Sequence, residues 1–186
     1  ATPDGDGWRL NGTKYFITGV DESDAILVVA CTERDETTGR GRLSLFIVPT
    51  DAPGLSKTLI PVEMLAPERQ FTLFFDDVTL GPDALIGEVN DGLRQVFTGL
   101  NPERITAAAV ANGISRYALD KAADYARGRS VWGVPIGTHQ GLAHPLADAY
   151  IQVELARLAA WRAADLYDSG DDPGEASNIA KYSAAE

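Results

Sequence analysis

Three short segments carry side chains whose types and spacing can do chemistry. In Asn101-Pro102-Glu103-Arg104 a carboxylate stands beside a guanidinium at an irregularity in a helical pattern. A carboxylate held at such a point can act as a general base, worth roughly 10²–10⁴-fold in rate when positioned. Two backbone readings are open. Either a helix restarts here, with Asn101 as N-cap and Pro102 in the first position, or the helix runs through. In the second case Pro102 costs about 3 kcal/mol and leaves the Thr98 carbonyl without its usual donor. Asn101 and Arg104 then share one face at i and i+3.

The second segment is Arg127-Gly128-Arg129-Ser130-Val131-Trp132-Gly133-Val134-Pro135-Ile136-Gly137. It reads as a helix end, with arginines complementing the dipole and a glycine stop. It reads equally as an anion site, with Arg129 holding a phosphate through a charge-assisted bond worth roughly 1.5–3 kcal/mol and Trp132 as an apolar plate beside it. The third segment is Tyr15-Phe16-Ile17-Thr18-Gly19. Strand alternation puts Phe16 and Thr18 on one face, where a planar ligand stacks on the ring and bonds to the hydroxyl. An ordinary half-buried strand has the same pattern.

Other chemistries find no support. His139 and His144 are five positions apart, which is not a zinc spacing. Cys31 is the sole cysteine, so no disulfide forms within the chain, as fits a reducing cytoplasm. No glycine-rich phosphate loop is present. The net charge of −11 over 186 residues, spread along the chain, repels nucleic acid and anionic lipid. No apolar run is long enough to span a membrane and no leader opens the chain, whose two ends read as cuts.

These segments need elements to hold them, and the chain changes character once. Strand patterns occupy residues 1–88. Asn11-Gly12 reads as a two-residue hairpin turn between Trp8-Arg9-Leu10 and Lys14-Tyr15-Phe16-Ile17. Residues 25–31, 43–48 and 71–75 read as further strands, separated by turns and by Pro49, Pro53, Pro61 and Pro67. From 89 to 186 the period is helical. Leu93, Val96, Phe97 and Leu100 recur at three and four residues, and Ile105, Ala108, Ala109, Ala111, Ala122 and Ala126 continue the helix with small side chains suited to close helix contact. A second helix is predicted over about 138–167. A third opens at Asp172-Pro173-Gly174-Glu175, read as a capping box. The fold class expected is α+β: a small antiparallel β-barrel or sandwich domain followed by the long antiparallel helices of a bundle.

The ordered set of motifs resembles the acyl-CoA dehydrogenase family. The similarity lies in Asp4-Gly5-Asp6-Gly7-Trp8-Arg9-Leu10-Asn11-Gly12-Thr13-Lys14-Tyr15-Phe16-Ile17-Thr18, in Phe75-Asp76-Asp77-Val78, and in the 129–137 segment with His139-Gln140. The resemblance implies a fragment running from inside the middle β-domain into the helical domain. It implies FAD as cofactor, an acyl-CoA substrate, an electron-transfer flavoprotein as acceptor, and a homotetramer. By position, Phe16 takes the place of the aromatic packed on the flavin and Thr18 that of the hydroxyl near flavin N5. Arg129 matches an arginine that reaches the FAD pyrophosphate of a neighbouring subunit, with Trp132, Ile136, His139 and Gln140 close to that cofactor. Asn101 and Arg104 fall where the family has an aspartate and an arginine serving substrate binding.

There are departures. Phe16 stands where many members have Trp, Val131 replaces a frequent Thr or Gln, and residues 63–71 lack the usual Gly-x-Arg-x-Ser pattern. The Thr-Glu-Pro motif would precede Ala1, and the commonest position of the catalytic glutamate would follow Glu186. Glu103, just before the matching arginine, occupies the place of the base in branches such as the isovaleryl-CoA and long-chain dehydrogenases. An oxygen-using acyl-CoA oxidase-like or nitroalkane-oxidase-like homologue, or a non-catalytic CoA-binding or assembly homologue, stays open on these residues.

Overall fold

The computed structural model describes residues 1–63 and 67–186. Within the departing segment 63–71, Met64, Leu65 and Ala66 lie outside the described residues. The chain divides into two compact units, Ala1–Val96 and Phe97–Glu186, each taken by itself below.

The first unit is two antiparallel sheets. One has the order β1 (Thr2–Asp4), β2 (Gly7–Thr18), β6 (Gln70–Leu80), β5 (Leu55–Ile60); the other has β3 (Ala25–Arg34), β4 (Gly41–Pro49), β7 (Leu85–Ile86). The layers form a sandwich that does not close into a barrel. Its interior holds Leu10, Val20, Val28, Phe46, Val48, Phe71, Leu73, Phe75, Val78 and Leu80. Each such side chain is worth roughly 1.5–3 kcal/mol when fully buried.

Asn11-Gly12 is not a turn. β2 runs straight through it and pairs with β6 from Trp8 to Thr18, because its two halves both find their partner in β6 rather than in each other. Two register shifts mark this pairing. At the first, Asp76 and Asp77 together oppose Asn11; Asp77 has a φ of 50°. Asn11 clasps this bulge from across, its Nδ2 donating to Asp77 Oδ1 and its Oδ1 accepting the Asp77 N–H, both at 2.9 Å. The extra residue explains the odd step in β6 from buried Phe75 to buried Val78. At the second shift Tyr15 and Phe16 together oppose Thr72.

A polar junction ties the end of this unit to β3 and β4. The Asn90 N–H donates to Ser44 Oγ at 2.8 Å, Asn90 Oδ1 accepts from Thr32 Oγ1 at 2.7 Å, and Asn90 Nδ2 donates to Glu33 Oε2 at 2.6 Å. Ser44 Oγ also shares a 2.7 Å bond with Thr32 Oγ1. Gly92 follows, and a Cβ there would lie 2.7 Å from the Ser44 Cα, so only glycine lets the helix start this close to β4.

The second unit is helical. α1 (Gly92–Gly128) leads into a small hairpin of β8 (Ser130–Val131) and β9 (Val134–Pro135), and α2 (Gln140–Asp168) and α3 (Gly174–Ala185) follow. The helix runs through Pro102 rather than restarting. Ala108 packs with Ala160, Ala163 and Ala180, whereas Ala126 meets Gly137 at the start of the return path, so α1 and α2 run antiparallel. Alanines at these points let the axes approach. Ala109 and Ala122, grouped with them from the sequence, are exposed instead. At α3 the capping box is replaced by a simpler turn: Asp172 Oδ1 accepts the Gly174 N–H at 2.9 Å, and Pro173 is the N-cap. No helix among the described residues is long and apolar enough to cross a membrane.

Ser44 is fully buried. Ser44→Ala leaves the Asn90 N–H without its acceptor and takes one of its partners from the Thr32 hydroxyl, and we expect a loss of about 1–3 kcal/mol. The measurement is a lower urea midpoint at unchanged m-value. A midpoint within error of the parent chain would show that the junction contributes nothing.

Candidate active site

The expected site residues fall into two groups, one in each unit. In the first unit, Phe16 sits in the bulge of β2 at a φ of 56°. A non-glycine residue there is strained by roughly 1–3 kcal/mol. The bulge sets which way the side chains point. Ile17 packs against the core that also contains Leu10, whereas Phe16, at 55% exposure, and Thr18 stay open to solvent. The shared exposure of Phe16 and Thr18 thus arises across an irregular backbone rather than from simple alternation. Tyr15 braces the Phe16 ring edge-on, with centroids 4.4 Å apart. Thr18 Oγ1 donates to Gln70 Oε1 at 3.0 Å.

In the second unit the β8–β9 hairpin gathers Arg129, Trp132, Ile136 and His139. Its two turn residues, Trp132 and Gly133, have φ of 55° and 81°, the left-handed pair that a two-residue hairpin demands. The Ile136 N–H donates to the Arg129 carbonyl at 2.8 Å and the His139 N–H to the Ile136 carbonyl at 3.1 Å. The Trp132 and His139 rings meet edge-on at 5.8 Å, yet Trp132 remains 88% exposed. His139 Nε2 is buried with no hydrogen-bond partner among the described residues. Arg129 is exposed and has no carboxylate partner among them, whereas Arg127 is paired with Asp124 at 2.5 Å. Gln140 opens α2 and is exposed.

On α1, Asn101 and Arg104 are half-buried, and Asn101 Oδ1 and Arg104 Nη1 are buried without partners among the described residues. The Arg104 guanidinium lies 5.0 Å from the centre of the Phe97 ring, a cation–π contact from one helical repeat earlier. Glu103 is exposed and forms no ion pair among the described residues. The adjacency to Arg104 therefore gives no salt bridge, because neighbouring helical residues point about 100° apart and do not face each other.

Sequence reasoning missed Gln70 and Phe97. Phe97 was legible as the i−7 neighbour of Arg104; Gln70 was not, since only the strand register brings it to Thr18. Taken separately, the two groups fit a planar, phosphate-bearing ligand. Two aromatic rings are held out to solvent on strained backbone; Thr18 follows one of them two residues on, and the other meets the His139 ring in a hairpin whose first flank is Arg129, with neither His139 Nε2 nor the Arg129 side chain given a partner among the described residues.

Comparison with known proteins shows the family. Residues 1–78 match the family model for the acyl-CoA dehydrogenase middle domain, and residues 90–186 match that for the acyl-CoA dehydrogenase C-terminal domain. The chain belongs to the acyl-CoA dehydrogenase family. Among curated relatives it is 55% identical over 188 residues to the acyl-CoA dehydrogenase FadE12 of Mycobacterium tuberculosis, covering 100% of this chain and 48% of that protein. Butyryl-CoA dehydrogenase from Megasphaera elsdenii superposes with a TM-score of 0.83 at 30% identity, over 99% of this chain and 48% of the other. The FAD complex of PigA superposes with a TM-score of 0.87 at 26% identity, over 100% of this chain and 48% of the other. The chain thus spans about half the length of the proteins it matches.

Trp132 occupies a backbone conformation that Asn adopts far more readily, and its ring is almost wholly exposed. Trp132→Asn is expected to hold or raise thermal stability, within about 1 kcal/mol. A melting temperature lowered by the equivalent of more than about 2 kcal/mol would show that the ring holds the fold together rather than being displayed for a ligand.

Proposed function

We propose that the whole protein catalyses FAD-dependent α,β-dehydrogenation of an acyl-CoA thioester and passes the electrons to an electron-transfer flavoprotein. The observation that carries this reading is the ordered match of both units to the two acyl-CoA dehydrogenase domains. The names of the relatives and the FAD complex of PigA support it.

In this reading Phe16 packs on the flavin ring and Thr18 lies beside N5. Arg129 holds the pyrophosphate of the FAD in a neighbouring subunit of a homotetramer, with Trp132, Ile136, His139 and Gln140 around the same cofactor. Arg129, exposed and without a carboxylate partner among the described residues, suits that task. FAD, when bound, supplies the acceptor for the β-hydride. Asn101 and Arg104 bind the substrate, and their orphaned polar atoms are suited to a carbonyl or hydroxyl of the thioester or its CoA. Glu103 takes the α-proton on its carboxylate, so that proton and hydride leave adjacent carbons and a double bond forms between them. With no ion-pair partner among the described residues, its carboxylate is available for that proton.

The variant that tests this assignment is Glu103→Gln in the full-length flavoprotein. Flavin content and acyl-CoA binding should be retained, while the rate of flavin bleaching by acyl-CoA falls by roughly 10²–10⁴-fold. Bleaching at the parent rate would move the base elsewhere in the protein and leave Glu103 a surface residue of α1.

A further inference from the structure

The hydroxyl of Thr18 has one hydrogen, and that hydrogen is already committed. Thr18 and Gln70 are cross-strand partners of β2 and β6, and Thr18 Oγ1 donates to Gln70 Oε1 at 3.0 Å. Gln70 is the more enclosed of the two: it is half-buried, precedes buried Phe71, and pairs on its other side with Ile60 of β5. With its hydrogen turned toward the amide, Thr18 offers a ligand only its lone pairs. It can accept an N–H at no loss. To donate to a ligand lone pair it must first give up the bond to Gln70.

This distinction matters under the reading above, on which the present inference rests, that Thr18 lies beside flavin N5. That nitrogen carries a lone pair in the oxidised flavin and an N–H in the reduced one. We propose that Gln70 is a positioning residue which, by holding the Thr18 hydroxyl hydrogen, favours the reduced cofactor over the oxidised one. In the reduced state the N–H donates to Thr18 and Thr18 donates to Gln70, two bonds in series that polarise each other in the same sense. In the oxidised state one of the two must be lost. A neutral hydrogen bond of ordinary net strength corresponds to about a fivefold to tenfold preference.

The experiment is a measurement of the flavin midpoint potential in the full-length holoenzyme carrying Gln70→Leu, which removes the acceptor. Gln70→Met, unbranched like glutamine, is the second variant should leucine disturb the strand. Each change is made in the parent and in a Thr18→Val background. We expect the potential to fall by the fivefold to tenfold preference, at most about 30 mV for a two-electron couple, in the parent and not to move in Thr18→Val. An unchanged potential in the parent, or an equal fall in both backgrounds, overturns the role of Gln70 while leaving the functional reading intact. A purified parent protein that carries no flavin overturns both.

Discussion

The first unit depends on a single left-handed residue, Phe16. Leu10 and Ile17 both face the core, yet they are seven residues apart, and strict alternation would send them to opposite faces. The extra residue at the Tyr15–Phe16 bulge reconciles them. Its strain, roughly 1–3 kcal/mol, is offset by keeping both apolar side chains inside, each worth roughly 1.5–3 kcal/mol. The same irregularity that saves the core leaves Phe16 exposed on strained backbone with Thr18 two residues on. Packing and site are thus consequences of one backbone feature.

The device recurs. Among the described residues, four non-glycine positions have positive φ: Phe16, Asp77, Asn90 and Trp132. Asp77 and Asn90 are of the types that tolerate this region, and each is tied by hydrogen bonds of its own backbone or side chain. The two aromatics are not of those types, and they are the two large rings of the candidate site. At Phe16 the core offsets that strain, whereas the Trp132 ring is almost wholly exposed and its burial offsets nothing. Pro102 adds a third irregularity, inside α1 and between two residues assigned to substrate and base.

Much of this was legible in the sequence. The change from a two-residue period to a helical one near residue 88 reported the α+β architecture, because that periodicity is set by burial and needs no knowledge of register. The run of α1 through Pro102 was one of two readings, and propensity alone did not choose between them; the 37-residue helix continues through the proline. The hairpin read at Asn11-Gly12 does not form. Asn11 instead faces the β6 bulge and bonds Asp77 across the strands, a partner 66 positions away that local turn chemistry cannot show. β1, β5 and β7 escaped notice because they are short or, in the case of β5, polar at the sheet edge. Gln70 was invisible for a related reason: its contact with Thr18 spans 52 positions and exists only through the β2–β6 register.

The central claim is that these two units belong to an FAD-dependent acyl-CoA dehydrogenase whose substrate reduces its own flavin. The most direct measurement is the absorbance of the purified full-length protein when a saturated acyl-CoA is added without oxygen. The account predicts a flavin spectrum that bleaches on addition, with an α,β-unsaturated acyl-CoA formed in equal amount. A protein that carries no flavin, or a bound flavin that keeps its oxidised spectrum across acyl-CoAs of different chain length and branching, would contradict it.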